Sequence, residues 1–272
     1  MVLPLLCLAL AGCKKADSEA SEDPAYRRVM ESGVIRCGFT SWKPFIYIDP
    51  KTNTKGGIIH DLMEEIAKRY HLNIEWTAEV GWGEVVTALN THRFDVACAA
   101  YWANTNRGSQ VYFTDPVFYS KSYIWVRGDD KRQFKSYDDL NNPEYRFSYN
   151  DGSAESKIIN LRFPRTRKQT LPELTPLSDL YELVAAGKAD FMVDEMASVA
   201  DYLKDKPDAV KKALDQPLAL YPVVLMMAGG ENRLKQMLDT AIREIELDGT
   251  LDRILAKYQA GDFFDRNAYQ RQ

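Results

Sequence analysis

The strongest constraint on this chain is the regular alternation of short apolar runs with amphipathic helical stripes. Residues 34–38 read as a buried strand after a turn at Gly33. Ile59, Leu62, Met63, Ile66, Ala67 and Tyr70 then recur at the spacing of one helix face. Residues 72–76 alternate as a strand, Trp82, Val85, Val86 and Leu89 form a second stripe, and residues 94–99 form another strand. Strand–helix–strand with short connections predicts a mostly parallel sheet covered by helices, an α/β fold. A second series follows: strands at 124–126 and 146–149, a turn at Gly152-Ser153 opening a helix, a helix over 177–186, and a strand over 191–193 ending at Asp194. The longest stripe (Leu234, Met237, Leu238, Ala241, Ile242, Ile245) is broken by Asp248-Gly249-Thr250 before a last helix carrying Leu251, Ile254, Leu255 and Tyr258. No low-complexity linker divides the two series, and two lobes are expected within the 272 residues. With 45% hydrophobic and 27% charged residues the chain is ordinary globular material, which excludes wholesale disorder or a coiled-coil rod. A net charge of −4 argues against a nucleic-acid partner. No apolar run reaches the ~20 residues needed to span a bilayer.

Residues 2–11 have the length of a signal-peptide apolar region. Leu10-Ala11-Gly12-Cys13 looks like a bacterial lipobox, although no Lys or Arg precedes the apolar stretch. The expectation is a leader over residues 1–12, lipidation of Cys13, and a polar tether over 13–25, with the folded body starting near Tyr26. Cys37 and Cys98 fall in predicted buried strands, where free thiols are expected, because a bridge between neighbouring strands needs uncommon geometry. His60, His71 and His92 show no metal-ligand spacing, and neither metal nor cofactor is expected. The run 162–168 (Arg-Phe-Pro-Arg-Thr-Arg-Lys) reads as a solvated surface loop, with a permease or anionic headgroups as the alternative contact. Phosphate-loop, dinucleotide and nucleophile-elbow motifs are lacking.

Several stretches, in order, resemble the bacterial extracytoplasmic solute-binding proteins of family 3, which bind amino acids for ABC importers. They are Gly33-Val34-Ile35-Arg36 with Pro44-Phe45; residues 57–67; Trp82, Val85, Ala88-Leu89 and Phe94-Asp95; Asn104-Thr105-Asn106-Arg107 with Phe113-Thr114-Asp115-Pro116; residues 186–190 leading to Asp194; and Asp248-Gly249-Thr250. The resemblance implies a two-lobed fold of the type II periplasmic-binding-protein kind, each lobe a mostly parallel sheet flanked by helices. By analogy the chain crosses between lobes at residues 117–121 and 221–225. Lobe 1 is then 26–116 plus 226–272, and lobe 2 is 122–220. Ligand would bind in the interlobe cleft, closed by hinge motion.

The same resemblance marks Arg107 as the carboxylate clamp, a role suited to a planar guanidinium that stays charged when buried. Asp194 matches the acid that takes the ligand ammonium. Gly152 and Ser153 open a helix whose free N–H groups favour an anion. Trp42 and Trp82 match aromatic positions lining the cleft, core packing being their alternative, and Ala100 and Trp102 match ligand-contacting positions. Several relatives carry an Asp where this chain has Phe39, which leaves Asp194, with Glu195 beside it, for the cation. Tyr101 and Trp102 are bulkier than usual, and Asn104 and Asn106 replace a common Thr and Glu. Together they point to a neutral or aromatic amino acid, or a related carboxylate. The expected protein is a non-enzymatic, monomeric receptor delivering ligand to an ABC permease. Two alternatives stand beside it: a binding protein signalling to a membrane sensor, and an enzyme resembling the family's cyclohexadienyl dehydratases, with Asp151, Asp194 and Glu195 as candidate acids.

Overall fold

The computed structural model describes residues 23–266. The segment read as leader, lipidated Cys13 and most of the tether therefore lies outside the described residues. Helix α1 (Pro24–Ser32) leads into β1 (Val34–Phe39), a small hairpin of β2 (Tyr47–Ile48) and β3 (Lys55–Gly56), α2 (Ile58–Arg69), β4 (Asn73–Glu79), α3 (Val85–Asn90) and β5 (Val96–Trp102). A single helical turn, α4 (Thr105–Gly108), and β6 (Val111–Phe113) precede the long strand β7 (Phe118–Arg127). The second series is β8 (Arg146–Asn150), α5 (Ala154–Arg162), β9 (Arg167–Leu171), α6 (Leu177–Ala185), β10 (Phe191–Glu195), α7 (Met196–Asp205) and β11 (Val210–Lys212). A second long strand, β12 (Ala219–Ala228), returns to α8 (Asn232–Leu247), α9 (Thr250–Lys257) and β13 (Phe264–Asp265).

The main sheet runs in the order β4-β1-β5-β12-β7-β10-β8-β9. Its two ends are parallel, β4-β1-β5 and β10-β8-β9, and its middle is antiparallel through β12 and β7. Each long strand serves both ends. In β7, Phe118 to Ser122 pair with Val223 to Ala219 of β12, and Ser122 to Trp125 pair with β10. In β12, Val223 to Met226 pair with β5.

Burial separates the cores. One cluster gathers β1, α2, β5, α8 and α9 around residues such as Ile35, Leu62, Val96, Leu238 and Leu255. Two smaller clusters cover opposite faces of the second parallel set: Phe147, Ile159, Phe163 and Phe191 on one, and Trp125, Tyr181, Val184 and Met192 on the other. Strand β5 is buried at every position, as a strand covered on both faces must be, whereas edge strand β4 alternates. Asp95 joins three elements: it accepts hydrogen bonds from Arg28 of α1 and from the backbone and side chain of Arg36 in β1, just ahead of β5.

Two expectations are corrected. Cys37 and Cys98 form a disulfide, with Cα atoms 5.5 Å apart. The register places Cys37 opposite Val96, so Cys98 lies one step diagonally on the same face of the sheet, within bridging reach. The tether ends earlier than read: α1 begins at Pro24 and Ala25 is buried, its N–H donating to Glu231 at 2.8 Å.

Candidate functional site

The carboxyl ends of β1, β8 and β10 face one another across a cleft, the place where parallel α/β sheets hold ligands. A cavity of about 430 Å³ opens there between Thr40, Trp42, Glu79 and Trp82 on one wall and Glu173, Leu177, Tyr181 and Asp201 on the other. Trp42, Trp82 and Leu177 also border a tight inner void of about 10 Å³, which Asn150, Ser153, Glu155 and Asp194 complete. Trp42 sits edge-on to Trp82, ring centroids 5.5 Å apart, and to Trp102 at 6.0 Å. Its indole N–H, though buried, has no hydrogen-bond partner. Trp102 stands behind it, stacked on Tyr221 at 4.6 Å. Ala100 is fully buried inside β5. Phe39 is not brought to the cleft: it packs edge-on against Trp76, and Thr40, one residue on, faces the cavity instead.

Arg107 lies in α4, whose first turn is capped when Asn104 Oδ1 accepts the Arg107 N–H at 3.1 Å. Its side chain is 4% exposed and forms no ion pair among the described residues. The guanidinium donates to the carbonyls of Trp82 (3.3 Å) and Trp102 (3.5 Å) and lies 5.3 Å from the Tyr101 ring centroid. Burial pulls its pKa down, against the charges of Tyr101 and Glu155. Such a cation favours any anion that can reach it.

Asp194, next to last in β10, has the complementary problem. It is buried and forms no ion pair among the described residues; it accepts from Tyr181 OH at 2.5 Å and from the Glu195 N–H at 2.7 Å. Burial, then the charges of Glu195 and Glu155, hold its carboxyl well above the usual carboxylate range. Glu195 is spoken for: its carboxylate caps α7 by accepting the N–H groups of Ala197 (2.9 Å) and Ser198 (2.7 Å), and burial pushes its pKa up to about 7. The expectation that it backs up Asp194 toward a ligand cation is therefore corrected. Glu155, in the first turn of α5, is the acid that sequence reasoning missed. It borders the inner void, and burial raises its pKa while Ser153 and Arg107 draw it down.

Ser153 caps α5 by accepting the Ser156 N–H at 3.2 Å and also borders the void. Gly152 does a different job. Its φ is +69°, and a Cβ there would stand 2.5 Å from the Gly83 nitrogen, so two backbones meet across the cleft with no room for a side chain. Two further contacts bridge the walls. Glu173 accepts the Gly83 N–H at 3.0 Å, and Lys43 pairs with Asp201 at 3.0 Å. Asn150 donates to the Thr175 carbonyl at 2.7 Å, while its own buried side-chain oxygen is unpartnered. No group of three or more metal-ligating side chains occurs among the described residues, and no helix among them is long and apolar enough to cross a membrane.

The family model for bacterial extracellular solute-binding proteins, family 3, matches residues 35–261. The chain is 25% identical to the L-cystine-binding protein TcyA of Bacillus subtilis over 264 residues, 93% of each chain. Among solved structures, an ancestral amino acid-binding protein described as a precursor of cyclohexadienyl dehydratase matches with a TM-score of 0.75 at 24% identity, over 85% of this chain and 97% of that one. An ancestral arginine-binding protein bound to arginine matches with a TM-score of 0.72 at 24% identity, over 83% and 98%. The fold is that of these two-lobed binding proteins, and with the family model matching most of its length, the chain belongs to the bacterial extracellular solute-binding proteins, family 3.

Proposed function

We propose that this protein is the substrate-binding component of an ABC importer, capturing an α-amino acid or a related small carboxylate in the cleft between its lobes. One observation carries the reading. Buried Arg107, which forms no ion pair among the described residues, donates to the carbonyl of Trp82 at the edge of the inner void, and buried Asp194, likewise without an ion pair among them, borders that void from the other wall. A zwitterion supplies the missing partner to each, and an ion is worth burying only when it is so paired. Closure would pivot on β7 and β12 near residues 117–121 and 221–225, between a lobe of 26–116 plus 226–272 and a lobe of 122–220. The chain would act as a monomer, held to the membrane through Cys13 and handing its ligand to a permease. Signalling to a membrane sensor would use the same binding step.

Trp42 and Trp82 at the join of void and cavity suit a neutral or aromatic side chain. A second reading rests on the outer cavity, where Glu79, Glu173, Asp201 and Asp205 face a single Lys43. That surplus of carboxylates suits a cationic side chain. The test is a melting-temperature screen of protein stripped of ligand by unfolding and refolding, against the twenty amino acids, prephenate and arogenate. Ligand at ~100-fold over its dissociation constant should add about 2.7 kcal/mol of stability. A shift with one or a few amino acids, lost in Arg107→Ala, is the expected result. Consumption of prephenate or arogenate would overturn the binding-protein reading in favour of an enzyme.

A further inference from the structure

Strands β8, β9 and β10 are parallel, so their carboxyl ends share the cleft and their amino ends share the opposite pole of that lobe. From Ser156 to Pro172 the chain holds no carboxylate but five cations, on a protein whose net charge is −4. Of these, Lys157 is exposed earlier on α5, toward Arg107 and the cleft, and Lys168 donates its ammonium to the Phe163 and Thr166 carbonyls. The other three, Arg162, Arg165 and Arg167, are exposed at the end of α5 and the start of β9 and form no ion pair among the described residues, Arg162 donating to the Leu218 carbonyl at 3.1 Å. Strand register sets Arg167 directly beside Arg146, and Arg146 donates to the carbonyl of exposed Lys188 at 2.9 Å. Like charges side by side on neighbouring strands repel. The acids near this pole form no ion pair with these side chains: Asp190 is paired with Arg132 and accepts only the backbone N–H of Arg146 at 2.9 Å, and Glu144 pairs with none of them. Amid these cations Leu161 is 83% exposed, the most exposed large hydrophobic side chain among the described residues.

We infer that this pole of the second lobe is a docking surface for an anionic lipid bilayer. Five guanidinium and ammonium groups without carboxylate partners recognise a field of phosphate headgroups, and an exposed leucine among them can enter the headgroup boundary. An acidic protein face would explain the cations but leaves the leucine without a use.

The test is co-sedimentation of the full chain with vesicles of pure phosphatidylcholine and of equal parts phosphatidylcholine and phosphatidylglycerol. Any insertion of the N-terminal apolar segment is common to all variants, so the difference between the two vesicle types reads the patch. The expected result is preferential, salt-sensitive binding to the anionic vesicles, weakened about tenfold or more by Arg165→Glu/Arg167→Glu. Leu161→Ser should weaken it less, and the equal charge change Arg27→Glu/Lys51→Glu on the other lobe should leave it within about twofold. Unchanged melting temperatures would show that the variants fold. Equal binding to both vesicle types, or indifference to the Arg165/Arg167 reversal, overturns the proposal. Retention on immobilised polyglutamate without any preference for anionic vesicles overturns it too and assigns the patch to an acidic protein.

Discussion

Arg107 donates only to carbonyls and lies by an aromatic ring, with Glu155 acting on it from a distance and no ion pair among the described residues, so its charge is poorly compensated without a ligand. Arg107→Met should therefore leave the ligand-free melting temperature unchanged or raise it. The same change should weaken ligand binding by about 2–5 kcal/mol, at least about thirtyfold; calorimetry of both variants checks the two halves together. The acids across the cleft make a pH prediction. Glu195 has a folded pKa of about 7 against an ordinary value of 4.5. A carboxyl that holds its proton more tightly when folded lowers stability as pH rises between those two values and contributes a constant term above them. Asp194 and Glu155 are shifted upward too and act with the same sign. Denaturant titrations of the empty protein should thus show stability falling from about pH 5 to about pH 7. Glu195→Gln should flatten part of that slope, and an unaltered slope would reject the assignment. Ligand ammonium favours ionised Asp194, so binding below neutrality should release protons.

At the scale of elements, Asp95 holds α1 and β1 to the start of β5 through two arginines and a backbone N–H. Asp95→Asn leaves those arginines facing a neutral group and should cost about 3 kcal/mol in chemical denaturation. Gly152 matters both for its backbone conformation and where the cleft walls meet. Gly152→Ala carries about 1 kcal/mol of backbone strain at positive φ. Its methyl group must also displace Gly83, so ligand affinity should drop by more than the loss of stability explains. Equal affinity in this variant would mean that the walls do not touch in the bound state. Strand β9 was hidden inside the basic run, because charged residues on an exposed edge strand carry no apolar period.

For the whole molecule, the disulfide closes a loop with a sequence separation of 61 between two strands of one core. Reducing it should lower stability by about 4 kcal/mol on the chain-entropy account, measured as a shift in the denaturation midpoint. The same core ties α1 and α9 to the first lobe, through Ala25 with Glu231 and Tyr258 with Gly57. Ligand binding is expected to leave each lobe unchanged while the radius of gyration in small-angle scattering decreases, the signature of hinge closure.

The apolar periods of α2, β5 and α8 were readable residue by residue, because burial of one face repeats at the helix or strand period. From them alone came the α/β class and two strand–helix series, and ordered motifs pointed to the family and to Arg107 and Asp194. What remained hidden depends on distance along the chain. Sheet register decided that Cys37 meets Cys98 and that Arg146 meets Arg167. Side-chain direction turned Phe39 toward Trp76 and Thr40 toward the cavity, a matter of strand parity that motif spacing does not state. Glu195 was claimed by the amino end of α7, and Glu155 was turned toward the cleft by the same turn that placed Ser153. Local periodicity is written in neighbouring residues, whereas pairing, parity and caps arise when segments far apart compete for one another's hydrogen bonds and buried space.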